Sequence, residues 1–184
     1  MTNTPSFAGV VLAAGEGKRF GGPKAPFEYE GERLVDRAVR VLREAGCDPV
    51  FVILGAWEGQ VEGALVIVNH GWEEGMGSSV RIALKWVNAT TEADYALITL
   101  VDLPGLTSEA VTRVIEAPAG IAVATFDGQQ GHPVRIPRTH FRELIDTVAG
   151  DEGARSFLAE HDDVQRVEVA DLADGADLDL SPTN

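Results

Sequence analysis

The sequence predicts an α/β protein in which helices cover both faces of a mostly parallel sheet. Short, unbroken apolar runs rich in valine, isoleucine and leucine alternate with segments whose apolar residues recur at helical spacing. Parallel strands are buried on both faces and therefore read as continuous apolar runs. Strands that alternate with helices along a chain are typical of such a sheet.

The first half of the chain contains three predicted strands and two predicted helices. The strands are 8–14, 49–55 and 64–70, each a short apolar run. The first helix, 33–46, has its apolar residues on one side and ends at Gly46. The second helix, 78–87, presents Val80, Ala83, Leu84 and Val87 as its core face.

The second half continues the same alternation. Its predicted strands are 94–102, 120–126, a short one over 132–137, and a late one over 164–171. Its predicted helices are 107–117, 138–148 and 153–161. Thr107 and Glu109 open the first of these in the manner of a helix cap. The acidic segment 171–184, taken alone, reads as a disordered tail.

The bulk composition limits the classes of function. A length of 184 residues fits one domain, predicted to span 1–184. A net charge of −14 argues against nucleic-acid binding and against docking on an anionic membrane. The single cysteine, Cys47, excludes an internal disulfide and is expected to be a small buried thiol. No signal peptide and no membrane-spanning run is recognised, so the predicted location is cytoplasmic.

A glycine-rich segment with three cations follows the first strand. This segment, LAAGEGKRFGGPKA (12–25), contains Lys18, Arg19 and Lys24. Ligands of parallel α/β sheets bind outside the carboxyl ends of the strands, which is where this loop begins. Glycines allow backbone N–H groups to approach phosphate oxygens, and the cations would add charge. A phosphate site is therefore predicted, with a solvated turn as the alternative.

Neither of the two common phosphate loops fits this segment. The dinucleotide fingerprint needs a glycine where Phe20 stands, and Asp36 lies inside a helix and not at the end of the second strand. The P-loop needs a lysine where Pro23 stands, and no serine or threonine follows. A different phosphate-binding arrangement is required.

The segment resembles the signature of the MobA-like nucleotidyltransferases. Phe20 stands where methionine is commoner, and there is one extra glycine before Pro23. Later motifs of that family resemble, in the same order, 69–84, 100–107, 131–144, 150–155 and 177–182. The forms LAAG and PK resemble the cytidylyltransferase branch that modifies the molybdenum cofactor. The resemblance implies a three-layer, Rossmann-like nucleotidyltransferase fold with a mostly parallel mixed sheet.

The implied reaction moves CMP from CTP to a phosphorylated molybdopterin-type acceptor and releases pyrophosphate. CTP would be the substrate and Mg²⁺ the cofactor. A molybdoenzyme would be a client, and neither nucleic acid nor membrane a partner. The anionic acceptor needs no protein base, so catalysis should depend on positioning and charge neutralisation.

The resemblance also assigns roles to individual residues. Arg19, Lys24 and Asp102 would be catalytic. The implied nucleotide-binding residues are Leu12, Ala13, Ala14, Gly15, Gly17, Arg19, Lys24, Gly75 and Ser79. Asp102 and Asp179 would bind the metal, with Asp177 as a neighbour or alternative. Asp102 could instead be a helix cap or a loop carboxylate. In 177–182 the sequence departs from the family pattern, because the acidic residue that usually follows the proline is missing.

For several other residues the sequence leaves two interpretations open. His132 and Arg155 would bind the acceptor, although His132 could be structural. Ser78 and Ser79 could cap the second helix, or Ser79 could read the base, while Asn69 would order that loop.

One tryptophan and three histidines complete the set of candidate residues. Trp72 is placed near the base site. His70, His140 and His161 lack metal-ligand spacing and receive no role.

Three alternative functions remain at this point. Guanylyl or other nucleotidyl transfer would use the same cations and Asp102 with a different reading of the base. An NAD(P)H-dependent oxidoreductase acting on a nitrogen heterocycle of the nicotine blue type is also described among MobA-like proteins, although the dinucleotide fingerprint is incomplete. A non-catalytic chaperone that delivers a cofactor is the third.

Overall fold

The apolar runs form one seven-stranded sheet in the computed structural model, which describes residues 4–179. The strands are β1 (Phe7–Ala13), β2 (Glu28–Tyr29), β3 (Glu32–Arg33), β4 (Val50–Leu54), β5 (Leu65–Val68), β6 (Tyr95–Leu100), β7 (Ala122–Phe126), β8 (Gln129–Pro137) and β9 (Gln165–Glu168). The large sheet has the order β5-β4-β1-β6-β8-β7-β9, and β2 pairs with β3 in a separate hairpin. All seven predicted strands are present in this sheet.

The sheet is mostly parallel because one strand alone runs against the others. β8 pairs antiparallel with both β6 and β7, whereas the remaining neighbours in the large sheet are parallel. β7 and β8 are joined by a tight turn at Asp127 and Gly128, which have φ values of 50° and 79°. Positive φ at both central residues matches the right-handed twist of a hairpin. The predicted mixed, mostly parallel sheet is confirmed.

Within the described residues, five α-helices accompany the sheet. They are α1 (Leu34–Glu44), α2 (Met76–Thr90), α3 (Ser108–Ile115), α4 (Phe141–Thr147) and α5 (Arg155–Ala159). Thr107 caps α3, since its side chain accepts a hydrogen bond from the backbone N–H of Ala110. Short 3₁₀ turns occupy Trp72–Glu74, Arg138–His140 and Gly150–Glu152. No helix within residues 4–179 has the length and apolar character to cross a membrane.

Two hydrophobic clusters lie on opposite faces of the sheet. Val11 and Ala13 of β1 pack with α1 and α3 on one face. Val10 and Leu12 of the same strand pack with α2, α4 and α5 on the other. Alternate residues of a strand point to opposite faces, so β1 contributes to both clusters. The result is the three-layer α/β architecture expected from the sequence.

Two predictions about single segments have opposite outcomes. Cys47 is buried, and burial raises the pKa of its thiol to about 12, as expected for an unreactive core thiol. The described part of the acidic tail is not a free coil, because Leu172 and Leu178 pack against the cluster that contains α1 and α3. The leucines stabilise this segment despite its acidic composition. Residues 180–184 lie outside the described part of the chain.

Candidate functional site

A cavity of about 550 Å³ opens at the carboxyl ends of β1 and β6. Three parts of the chain form it: the loop after β1, the segment that leads into α2, and the end of β6. Eight predicted nucleotide-binding residues line it, namely Leu12, Ala13, Ala14, Gly15, Gly17, Lys24, Gly75 and Ser79. Arg19 does not line the cavity, and its side chain projects into solvent. The structure therefore brings together every residue of that set except Arg19.

The glycine-rich loop is held in shape by its own backbone. Gly17 has a φ of 62°, and a Cβ atom there would lie 1.9 Å from the carbonyl oxygen of Gly22. The N–H groups of Gly21 and Gly22 both donate to the Gly17 carbonyl. Phe20 is buried and meets Phe27 edge-on, with ring centroids 4.8 Å apart. The residue that breaks the dinucleotide fingerprint thus anchors the loop.

Lys24 and Asp102 form an ion pair at the floor of the cavity. The Nζ of Lys24 lies 2.6 Å from Oδ2 of Asp102, and their side chains are only 15% and 19% exposed. Asp102 follows the end of β6, and Val101 just before it donates its N–H to the Leu12 carbonyl of β1. Lys24 therefore reaches Asp102 from the loop that follows the neighbouring strand β1. An ammonium group has three donors, so Lys24 can contact Asp102 and a phosphate at the same time.

Two further aspartates reach this pair from the end of the chain. The N–H of Leu178 donates to the Asp102 carbonyl at 2.9 Å, which holds the tail beside β6. Asp179 lies 3.5 Å from Arg19 and 3.9 Å from Lys24. Arg19 does not line the cavity and, within the described residues, is linked to the site only by its ion pair with Asp179. The family-implied pairing of Asp102 with Asp179 stays a prediction.

Asp177 lies two residues before Asp179 in the same C-terminal segment. Desolvation beside the cavity walls raises the pKa of its carboxyl, and the charges of Asp102 and Asp179 act in the same direction. Such crowding of negative charge is relieved by a cation. Carboxylate oxygens are also the donors that Mg²⁺ and Mn²⁺ prefer. The chemistry of the three carboxylates therefore fits a divalent metal ion, while their oxygens do not all lie within 4.8 Å of one another.

A second cavity, of about 370 Å³, adjoins the first and shares Leu12, Met76 and Leu100 with it. His132 and Arg155, both predicted to bind the acceptor, line this second cavity. The Nδ1 of His132 lies 3.3 Å from the Ile98 carbonyl and must donate to it. Desolvation lowers the pKa of this imidazole, so it is neutral near pH 7.

The start of α2 is organised differently from the capping predicted for its serines. α2 begins at Met76 after Gly75, and no side chain caps it. The Ser78 hydroxyl donates to the Gly75 carbonyl at 2.8 Å, while Asn69 donates to Ser78 at 2.8 Å and Ser79 at 3.0 Å. The serine-cap prediction is wrong because both serines lie inside the first turn. The prediction that Asn69 orders this loop is confirmed.

Sequence reasoning missed Asp151, which lines both cavities. A Cβ atom on Gly75 would lie 2.5 Å from the Asp151 carboxylate and 2.6 Å from the Gly150 backbone. Gly75, with a φ of 101°, is therefore required both by its conformation and by this close approach. Asp151 lies in the 150–155 motif, where only Arg155 had been selected. Trp72 also lines the first cavity, and its predicted place near the base stays a prediction.

Most of the chain matches a known protein family. Residues 9–164 match the family described as the MobA-like NTP transferase domain. The chain belongs to the MobA-like NTP transferase family. The resemblance seen in its motifs is thereby confirmed, and the protein is a MobA-like nucleotidyltransferase.

Individual relatives carry two different names. A nicotine blue oxidoreductase of Paenarthrobacter nicotinovorans is 35% identical over 195 residues, covering 97% of this chain and 94% of the relative. A probable molybdenum cofactor guanylyltransferase of Mycobacterium ulcerans is 33% identical over 186 residues, covering 96% and 90%. Both alignments span nearly the whole of each chain.

Solved structures agree with the fold. The crystal structure of Rv0371c from Mycobacterium tuberculosis H37Rv has a TM-score of 0.81 and 28% identity, covering 97% of this chain and 95% of that one. A manganese complex of the same protein has a TM-score of 0.75 and 27% identity, covering 96% and 94%.

Proposed function

We propose that this protein transfers a nucleotidyl group from a nucleoside triphosphate, CTP in our prediction, to a phosphorylated pterin-type acceptor of the molybdopterin class. The observation that carries the proposal is the Lys24–Asp102 pair, 2.6 Å apart, at the floor of a cavity walled by a glycine-rich loop. Glycine N–H groups and a lysine suit the phosphates of the nucleotide. The adjacent carboxylates suit the divalent metal that accompanies such phosphates.

The chemistry requires charge neutralisation more than proton transfer. An anionic phosphate of the acceptor would attack the α-phosphate of the nucleotide, forming one P–O bond while the bond to pyrophosphate breaks. Lys24 would bind the phosphates from the cavity floor, and Arg19 would swing from Asp179 to the leaving pyrophosphate. Asp102, with Asp179 or Asp177, would hold Mg²⁺, which supplies positive charge to the phosphates when bound.

The second cavity suits the acceptor. It adjoins the nucleotide cavity, and it contains one cation, Arg155, and one neutral imidazole, His132. An arginine fork can bind an acceptor phosphate through two parallel hydrogen bonds. The proton of the neutral imidazole is on Nδ1, facing the Ile98 carbonyl, so Nε2 can accept a hydrogen bond from a polar heterocycle without attracting a second phosphate.

The identity of the base has two candidates. The LAAG and PK forms favour cytosine, whereas the relatives named as guanylyltransferases favour guanine. The cavity is lined by Ser79, Trp72 and Ala13, and these residues would contact the base.

An oxidoreductase is the second candidate function, because the relative at 35% identity is named nicotine blue oxidoreductase. The same cavity could receive the pyrophosphate of NAD(P)H, and the second cavity a heterocyclic dye. Against it stands the loop, where Phe20 is a buried anchor at the position that the dinucleotide fingerprint reserves for glycine.

One turnover experiment separates these functions. The protein would be incubated with Mg²⁺, a molybdopterin acceptor and either CTP or GTP while pyrophosphate release is followed. A parallel assay would follow NADPH oxidation with nicotine blue. We expect pyrophosphate release with CTP to exceed that with GTP at least tenfold. NADPH oxidation without pyrophosphate release from either triphosphate would contradict the proposal.

Three further predictions accompany this proposal. They are a single domain over 1–184, a cytoplasmic location, and delivery of the product to a molybdoenzyme client.

A further inference from the structure

Two histidines and a glutamate that are distant from the nucleotide cavity approach one another on the surface. His140 ends the 3₁₀ turn after β8, Glu143 lies in α4, and His161 follows α5. One nitrogen of each histidine and one carboxylate oxygen all lie within 4.8 Å of each other, and within residues 4–179 no other such group of three is found. Sequence reasoning gave these histidines no role because 20 residues separate them.

We propose that His140, Glu143 and His161 form a second metal site, which takes a transition-metal ion of the Zn²⁺ class and fastens α4 to the end of α5. The proposal goes beyond nucleotidyl transfer and does not depend on it. We call the three residues the His–Glu–His cluster.

The distances in the cluster fit a tetrahedral ion. Glu143 directs one oxygen to each imidazole, at 3.3 Å from Nδ1 of His140 and 3.5 Å from Nε2 of His161. Ligand atoms about 2.0–2.1 Å from a tetrahedral zinc ion lie about 3.3–3.4 Å from each other. These separations are too long for strong hydrogen bonds and close to those that two ligands of one ion adopt. Two imidazoles and a carboxylate form a three-ligand zinc set, with a fourth position for water.

The ring of His161 is oriented as a metal ligand requires. Its Nδ1 lies 2.8 Å from the Phe157 carbonyl, which can only accept, so Nδ1 carries the proton. The other ring nitrogen, Nε2, then faces Glu143 and is the atom that can bind an ion. A hydrogen bond from the second ring nitrogen to a carbonyl is the usual support of a metal-bound histidine. Phe157 also packs on the ring, with centroids 4.2 Å apart.

The second histidine is positioned by the first and by the same phenylalanine. The rings of His140 and His161 are 5.2 Å apart and nearly perpendicular, at 88°. The ring of Phe157 lies 6.0 Å from that of His140. Glu143 is 47% exposed, so its carboxylate can turn to present a single oxygen to an ion. Two fixed rings and one adjustable carboxylate allow binding with little reorganisation.

The cluster is separate from the nucleotide site. Pro137 at the end of β8 pairs with Tyr95 at the start of β6, so His140 follows the amino end of the parallel strands. The nucleotide cavity lies at their carboxyl ends, beside Asp102. Imidazole donors favour Zn²⁺, Cu²⁺ or Ni²⁺ over Mg²⁺, whereas carboxylates alone favour Mg²⁺. The two sites should therefore select different ions.

Metal titration of the full-length, untagged protein tests this inference. Metal-stripped protein would be titrated with Zn²⁺ against a chromophoric chelator in the presence of excess Mg²⁺, which occupies carboxylate sites. We expect one Zn²⁺ per chain. We expect its affinity to fall at least tenfold in His161→Gln and in Glu143→Gln, and we expect Zn²⁺ to raise the unfolding temperature of the wild type but not of these two variants.

The matched control is His70→Gln, which removes an exposed histidine outside the cluster. This variant should bind Zn²⁺ as tightly as the wild type. If His161→Gln fails to fold, the exposed Glu143→Gln decides the matter. Equal Zn²⁺ affinity in the wild type and Glu143→Gln, or absence of one tight Zn²⁺ per chain, would overturn the inference.

Discussion

At the scale of single residues, the Lys24–Asp102 pair combines proximity with limited exposure. Its two groups come from a loop and a strand end 78 residues apart in sequence. The pair holds a cation and an anion ready at the place where phosphate charge would be bound, so little reorganisation is required on binding. Its position follows from β1 and β6 being adjacent and parallel.

Asp102→Asn should lower the rate of pyrophosphate release at least about 100-fold, since it removes a charge from the phosphate and metal site. The fold should survive because the side chain lies at a strand end beside a cavity. Steady-state turnover and thermal unfolding would be measured together. Asp163→Asn, an exposed carboxylate in a distant turn, is the control and should leave the rate unchanged. Wild-type turnover in Asp102→Asn would exclude this carboxylate from catalysis.

Arg135 has a structural role that the sequence did not reveal. Its side chain is 1% exposed and lies 5.0 Å from the ring of Tyr95. The guanidinium donates to main-chain carbonyls at and beyond the end of α3, those of Val114, Ile115, Ala117, Pro118 and Gly120. A helix end leaves such carbonyls without partners, so one arginine replaces a cap.

Arg135→Met should lower the free energy of unfolding by roughly 3 kcal/mol, because the buried carbonyls lose their donor. Chemical denaturation would measure it. Arg142→Met removes an arginine that is 95% exposed and should change the free energy by less than about 0.5 kcal/mol. Equal stability of the two variants would contradict the capping role.

At the scale of elements, Glu168 joins β9 to the β7–β8 hairpin. Its carboxylate accepts hydrogen bonds from the N–H groups of Gly128, Asp127 and Ala170 and from the hydroxyl of Thr125. These bonds, led by that from Gly128, lower the pKa of the carboxyl to about 2. The edge strand and the turn are thereby connected through one charge.

The sign of the pH effect follows from this lowered pKa. The carboxylate contributes fully to the stability of the fold when the pH is above its pKa in the unfolded chain, about 4.5. This contribution is lost as the pH falls toward 2, its pKa in the folded protein. Glu168→Gln should therefore lower the unfolding temperature at pH 7, and the difference from wild type should shrink by pH 3. Thermal unfolding at pH 7, 5 and 3 would measure this. Glu116→Gln, an exposed control, should show no such trend.

Sequence periodicity predicted elements well where burial is uniform. β1 and β4 are apolar throughout and were predicted within two residues of their observed ends. β8 was predicted only from residue 132 onward, because Gln129 and Gln130 are polar and pair with β7 across the hairpin turn. The β2–β3 hairpin has two residues in each strand, too few for any alternation to appear.

At the scale of the whole molecule, local and long-range organisation differ in how far the sequence reveals them. The cavity was predictable because strand ends meet at one edge of a parallel sheet, and the motifs lie at those ends. Asp151 and the His–Glu–His cluster were not, because their contacts depend on how α2, α4 and α5 pack. The position of Arg19 beside Asp179 depends on the path of the C-terminal segment. The acidic composition of that segment, taken alone, predicted a disordered tail.

The net charge of the molecule limits where an anionic ligand can bind. A net charge of −14 repels anions, so a triphosphate can bind only where Lys24, Arg19 and backbone N–H groups reverse the local field. Binding should accordingly require both the cations of the loop and a divalent metal.

Calorimetric titration with nucleotides tests the central claim, that this cavity binds a nucleoside triphosphate. Wild-type protein would be titrated with CTP, GTP and NADPH, each with and without Mg²⁺. We predict one CTP per chain, Mg²⁺-dependent binding, and an affinity at least tenfold weaker in Lys24→Met. Binding of NADPH without binding of either triphosphate, or unchanged CTP affinity in Lys24→Met, would contradict the claim.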